Sequence, residues 1–190
     1  MSRFYYLASP VPLPCGERGL AFTMKPYREV VASPEHQLKQ EELRQSGRIP
    51  IGDIVDLSHL NDKLVMVFET EEDAAGIMVQ ELDTYREAVR YHFKQPYVYQ
   101  ITADGGGFEI PANVPEELAV NFLPARKCCR LLGELLQEYT VSGEYFEFYT
   151  CWAGEEDWPR ANKLDRDVDL ASFVWEEGLQ PQEKQYIRIF

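Results

Sequence analysis

The sequence predicts an α+β fold: a single domain with a mixed, mostly antiparallel sheet, two long helices and one or two short helices packed on it. Three observations carry that expectation. Segments 3–8 and 143–152 are dense in aromatic residues, as strands are. Segments 74–93 and 125–139 repeat apolar residues at helical spacing. These segments interleave along the chain, which fits a mixed sheet with helices packed on it.

The elements follow in order. Residues 3–8 read as a strand, after which Pro10, Pro12, Pro14 and Gly16 break regular structure. Residues 19–23 form a short second strand. Ser33-Pro34-Glu35 starts a helix, with serine as N-cap and proline at the first helical position. This helix runs to about Arg44 on the surface, since Leu38 and Leu43 are its only large apolar residues, and Gly47 ends it. Residues 63–69 are a continuous apolar run and read as a central strand.

Thr70 and Asp73 then form a shortened capping box. Ala74, Met78, Leu82, Tyr85, Val89 and Phe93 mark an amphipathic helix of about six turns that stops before Pro96. Residues 97–103 and 107–111 read as a hairpin around Asp104-Gly105-Gly106. Pro115 starts a helical stretch that Pro124 kinks or restarts. Beyond it, Ala125, Cys128, Cys129, Leu132, Leu135, Leu136 and Tyr139 define a strong helical face. Strand 143–152 presents Tyr145, Glu147, Tyr149 and Cys151 on one face and Phe146, Phe148, Thr150 and Trp152 on the other. An acidic loop over 153–163 follows. Asp169 caps a short helix over 170–177, with Gly178 past its end. Residues 185–190 alternate as a terminal strand. Val55-Asp56-Leu57-Ser58 and Val168-Asp169-Leu170-Ala171 suggest a weak duplication of a strand–turn–strand unit across 1–70 and 143–190.

The chain has 190 residues, 45% of them apolar and 13% aromatic, enough for a core of ordinary size. Its net charge is −13. Residues 1–63 are balanced, and all of the excess lies in 64–190, where 24 acidic residues face 11 basic ones. A field of that sign repels nucleic acid and anionic lipid and favours basic partners. No apolar run is long enough to span a membrane, and the start lacks the apolar stretch of a secretion signal. Cys15, Cys128, Cys129 and Cys151 include no Cys-x-x-Cys pair and read as reduced thiols of a cytoplasmic protein.

Chemical motifs are few. Asp165, Asp167, Asp169 and Glu176 have the spacing of a calcium loop, but Leu170 stands where that loop needs glycine. His36, His59 and His92 have no second histidine at helical ligand spacing, so neither metal nor cofactor is expected. Glycines 105–107 lack the spacing of a phosphate loop. Cys15 sits in a Gly/Pro-rich loop beside Arg18, and His59 lies close in sequence to Asp53, Asp56 and Asp62. The least ordinary segment is Trp152-Ala153-Gly154-Glu155-Glu156-Asp157-Trp158, where two indoles flank three carboxylates.

These features predict an acidic protein-binding module that masks a basic protein partner, in the manner of an immunity protein or other inhibitor of a toxin nuclease. Its expected partner-binding residues are Trp152, Glu155, Glu156, Asp157, Trp158, Asp165 and Asp167. Two alternatives stand beside it. One is a small-molecule-binding or regulatory domain with an aromatic pocket floored by Tyr145, Tyr149 or Trp152 over Glu147. The other is an enzyme using Cys15 or His59.

Overall fold

Burial on both faces of the central strands shapes the main sheet of this chain, whose computed structural model describes residues 2–111 and 113–190. The chain forms two compact units, residues 1–20 with 70–190 and residues 21–69. In chain order the strands and α-helices are β1 (Arg3–Ser9), β2 (Gly16–Arg18), β3 (Thr23–Pro26), α1 (Tyr27–Ala32), α2 (Pro34–Gln45), β4 (Leu64–Val67), β5 (Gly76–Glu81), β6 (Tyr97–Asp104), α3 (Leu123–Glu138), β7 (Phe146–Trp152), β8 (Arg166–Val168) and β9 (Tyr186–Ile189).

The larger unit holds a seven-stranded sheet in the order β2-β5-β6-β1-β7-β9-β8. Every neighbouring pair is antiparallel except β8 with β9, so the sheet is mixed and mostly antiparallel, as expected. Helix α3 covers one face. Its Cys128, Cys129, Leu132, Leu135 and Leu136 meet Leu7, Ile77, Ile101, Phe146, Phe148 and Ile187 in the main core. These α3 residues are the helical stripe read from the sequence. The opposite face carries a smaller cluster built on Tyr6, Ala8, Val98, Tyr149 and Cys151. It is closed by Val89, Phe93 and Leu82 from the segment after β5.

Several local expectations are overturned. The capping box forms: Asp73 N donates to Thr70 Oγ1 at 3.0 Å and Thr70 N donates to Asp73 Oδ2 at 3.1 Å. No six-turn helix follows it. Residues 76–81 are strand β5, and residues 87–92 are a 3₁₀ helix. The apolar residues of 74–80 fit both periods, and the pairing partners choose between them: Ala75, Ile77 and Val79 are buried on the α3 face, while β5 joins β2 to β6. Gly76 fits the strand too, because a Cβ there would lie 2.6 Å from the Arg18 carbonyl oxygen.

The hairpin expected around 104–106 is also absent. β6 pairs with β5 and β1, and residues 107–111 are not a strand. Gly106 serves close packing instead, since an added Cβ would meet the Pro124 backbone at 2.8 Å. The short helix expected over 170–177 is a turn held by Asp169, which accepts from Ala171 N at 3.1 Å and Ser172 Oγ at 2.8 Å, followed by a 3₁₀ turn at Trp175–Glu177. Strand β8, just before it, spans Arg166–Val168 among the alternating aspartates.

The 21–69 unit contains α1, α2 and a two-stranded ribbon of β3 and β4. Ser33 caps α2 as predicted, accepting from His36 N at 3.2 Å, and α2 buries none of its residues. The apolar run at 63–69 is not a central strand: β4 pairs with β3 alone. The strand expected at 19–23 is displaced, with β2 before it and β3 starting at Thr23. In the segments compared for duplication, β7 pairs directly with β9, whereas β1 and β4 lie in separate sheets.

Gly133 lies under the Trp175 ring, where a Cβ would sit 2.6 Å from the indole carbons. Gly133→Ala gains about 1 kcal/mol of helix propensity but overpacks a rigid ring at a cost of about 1–3 kcal/mol. The expected outcome in urea denaturation is a net loss of about 1 kcal/mol with an unchanged m-value.

Candidate interaction surface

The aromatic and acidic loop after β7 is organised by the chain's own cations. Trp152 is partly covered, with the Arg3 guanidinium 5.2 Å from its ring centroid. Glu155 pairs with Lys184 at 3.1 Å, and the same ammonium lies 4.3 Å from the Trp158 ring. Trp158 remains 50% exposed. Glu156 is buried and accepts from Gly154 N at 2.9 Å and from Tyr6 OH at 3.2 Å, so its carboxylate holds the loop onto the sheet. Asp157 is exposed, and its carbonyl accepts from Tyr91 OH at 2.8 Å.

The two aspartates downstream are likewise engaged. Asp165 pairs with Arg160 at 3.3 Å. Asp167 forms a two-pronged pair with Arg188, whose Nε donates at 3.0 Å, and this guanidinium holds the carboxyl below its ordinary pKa. The structure therefore brings Trp152, Glu155, Glu156 and Trp158 together in one loop, with Glu156 turned inward. Asp157, Trp158 and Asp167 are the exposed members of the set.

Beneath this loop lies a buried polar and aromatic network. Glu147, fully buried on β7, accepts from Lys94 N at 2.8 Å, from Gln95 N at 2.7 Å and from the Tyr186 hydroxyl. Burial, reinforced by the bond to Glu147, raises the Tyr186 pKa far above its ordinary value. Tyr149 is fully buried too, its ring stacked on His92 at 4.3 Å between centroids. Glu147 and Tyr149 thus serve packing rather than the base and floor of a pocket. The thiols of Cys128, Cys129 and Cys151 are buried, and burial pushes them up to about 11, about 12 and about 12. Cys15 and His59 are exposed; His59 sits in a 3₁₀ turn where the neighbouring Asp56 carboxylate accepts from Ser58 N at 2.9 Å.

A row of exposed apolar residues lies elsewhere, in the 21–69 unit. Across the ribbon, Met24 faces Met66 and Pro26 faces Leu64. The Phe22 and Phe68 rings extend the row, with centroids 6.0 Å apart. Alternation places these residues on one face of the ribbon. That face is open: Phe22 is 45% exposed, Met24 49%, Leu64 61% and Met66 52%. Ile49, Ile51, Ile54 and Val55 are exposed in the same unit, and Pro50 is its one buried residue. Scattered apolar side chains are normal on a surface, whereas here they form a contiguous exposed row. The sequence held the signal, Phe22-x-Met24-x-Pro26 and Leu64-x-Met66-x-Phe68, but a run of apolar residues reads as a buried strand unless its partner is known.

Comparison of the chain with models of known protein families, with curated proteins and with solved structures finds no match in any of the three. Among the described residues, no helix is long and apolar enough to cross a membrane.

His92 gives the network a pH signature. Its ring is 6% exposed, and burial holds its pKa below the ordinary value of 6.5, against the opposing bond from Nε2 to the Glu156 carbonyl at 3.1 Å. The unfolded imidazole takes up a proton near pH 6.5 while the folded one stays neutral, so stability present above that pH is lost as pH falls toward the folded pKa. Thermal unfolding followed from pH 7.5 to 5.5 should show a falling midpoint, with a slope of at most about 1.4 kcal/mol per pH unit from this group. His92→Phe should flatten that slope.

Proposed function

We propose that this protein is an acidic protein-binding module that docks a basic protein partner on the open apolar face of the β3–β4 ribbon. Masking of that partner, as by an immunity protein or another inhibitor of a toxin nuclease, is the form of activity that fits such a module. The observation that carries the proposal is the exposure of Phe22, Met24, Leu64 and Met66 in one row. Methionine suits this role, because its flexible, polarisable side chain adapts to a partner's surface.

Charge plays the supporting part. The net charge of −13 attracts a basic protein over distance and accelerates encounter. The carboxylates of Glu155, Asp165 and Asp167 are already matched to Lys184, Arg160 and Arg188, so they contribute little direct pairing to a partner. Steering then comes from the acidic surface as a whole, and affinity comes from apolar contact on the ribbon.

The test is capture of partners from lysate of the producing cells at low and moderate salt. Wild-type protein is compared with Met24→Gln/Met66→Gln, which removes the apolar contact without adding charge, and circular dichroism checks that the variant folds. The expected result is a basic protein held by the wild type, weakened by salt and lost from the double variant. A captured protein that ignores both the salt and the ribbon substitutions would contradict the proposal, as would no capture at all.

A further inference from the structure

In the unit of residues 1–20 and 70–190, arginines are almost all neutralised. Seven of the nine have a carboxylate within ion-pair distance. The two without one among the described residues are Arg126 and Arg166, and both line the same cleft, of about 950 Å³. Acidic residues outnumber basic ones in this unit, so two unpaired arginines at one place call for an explanation.

The geometry sharpens the point. The Nε atoms of both arginines are buried and have no hydrogen-bond partner. Arg166 spends one Nη on the Leu179 carbonyl oxygen. Burial lowers its pKa, with no carboxylate to raise it again. A buried donor without an acceptor is costly, the more so on a cation. Arg126 lies in the first turn of α3, which contains no acidic residue to offset it.

The cleft has the form of a small-molecule site. Its size lies in the range of ligand pockets, and its walls include Ile110, Val114, Phe173 and Val174. Two of its lining residues are tied together, since the Gln180 side-chain amide donates to the Ile110 carbonyl, and Gln180 N donates to the Phe108 carbonyl at 3.1 Å. The charges on its rim narrow the ligand further. Asp167 is taken by Arg188 and Asp169 by its own turn, while Glu176 and Glu177 are exposed at the edge. Those two carboxylates disfavour a multiply charged anion such as phosphate.

We infer that this cleft binds a small monocarboxylate with an apolar body, its carboxylate held between Arg126 and Arg166 and its body against Phe173, Val174 and Ile110. Such a ligand offers its carboxylate to the edges of the two guanidinium groups that line the cleft, in the paired geometry that arginine favours for carboxylates. The site is independent of the ribbon proposed for protein docking, and its test does not involve a protein partner.

The test uses the full chain and nuclear magnetic resonance of the arginine Nε–H signals. The probes are acetate, hexanoate, 3-phenylpropionate, 3-phenylpropionamide and inorganic phosphate at millimolar concentration. Hexanoate or 3-phenylpropionate should shift the Arg126 and Arg166 Nε–H signals saturably, acetate more weakly, and the amide and phosphate not at all. Arg166→Gln should weaken binding about tenfold or more, the loss expected for a charge-assisted hydrogen bond. Arg126→Gln should do the same, and circular dichroism checks that each variant folds. If Arg166→Gln does not fold, Arg166→Lys keeps the charge, loses the fork and should still bind more weakly. No saturable shift with any carboxylate, tighter binding of phosphate, or affinity unchanged in both arginine variants would each overturn the inference.

Discussion

Both faces of β7 are buried, and that constraint sets what each neighbouring element has to supply. On one face Phe146 and Phe148 need apolar cover, which α3 provides with Leu132, Leu135, Leu136 and the two adjacent cysteines. On the other face β7 carries Glu147 and Tyr149 into the interior. A buried carboxylate is tolerated only when donors surround it. The backbone turn at Lys94 and Gln95 and the Tyr186 hydroxyl are those donors, so the segment from 82 to 95 must close over this face in one register. The Glu156 loop is fixed by the same logic, through Tyr6, Gly154 and the contact of its carbonyl with His92.

This dependence explains which parts of the fold were legible from the residues. Strands β1 and β7 were readable as dense aromatic runs buried on both faces, β9 by its alternation and helix α3 by its single helical stripe. Helix α2 was readable from its cap. The segment after Thr70 was not, because Ala75, Ile77 and Val79 satisfy a strand while Ala74, Met78 and Leu82 satisfy a helix. The gap between β2 and β6 settles the choice, and that gap is a property of the sheet rather than of the segment. Glycines 105 and 106 misled for a related reason. They signal a turn locally, but their lack of a side chain is used for close approach to Ala74 and to Pro124.

The candidate surfaces were less legible than the fold. Sequence shows how many carboxylates the chain has, but not which arginine stands beside each one. Glu155, Asp165 and Asp167 look like a partner-facing patch in one dimension, and in three dimensions each meets a cation of its own chain. The reverse holds for Arg126 and Arg166, which look unremarkable among so many charges and are singled out only by lacking, among the described residues, a carboxylate within ion-pair distance, while their Nε atoms are buried without a partner. For the ribbon, the apolar alternation was visible and its exposure was not. A row of methionine, leucine and phenylalanine is core or interface according to what covers it.

The chain thus combines a cooperative core built around β7 with a 49-residue unit, Ala21–Glu69, that keeps its apolar residues at the surface. Native-state hydrogen exchange, resolved by residue, tests this division most directly. Amides of β1, β6 and β7 should exchange only through global unfolding. Those of β3 and β4 should exchange faster by about three orders of magnitude, a difference of about 4 kcal/mol in opening free energy. Equal protection in β4 and β7 would mean that the ribbon shares the stability of the main core, and the division drawn between them would be wrong.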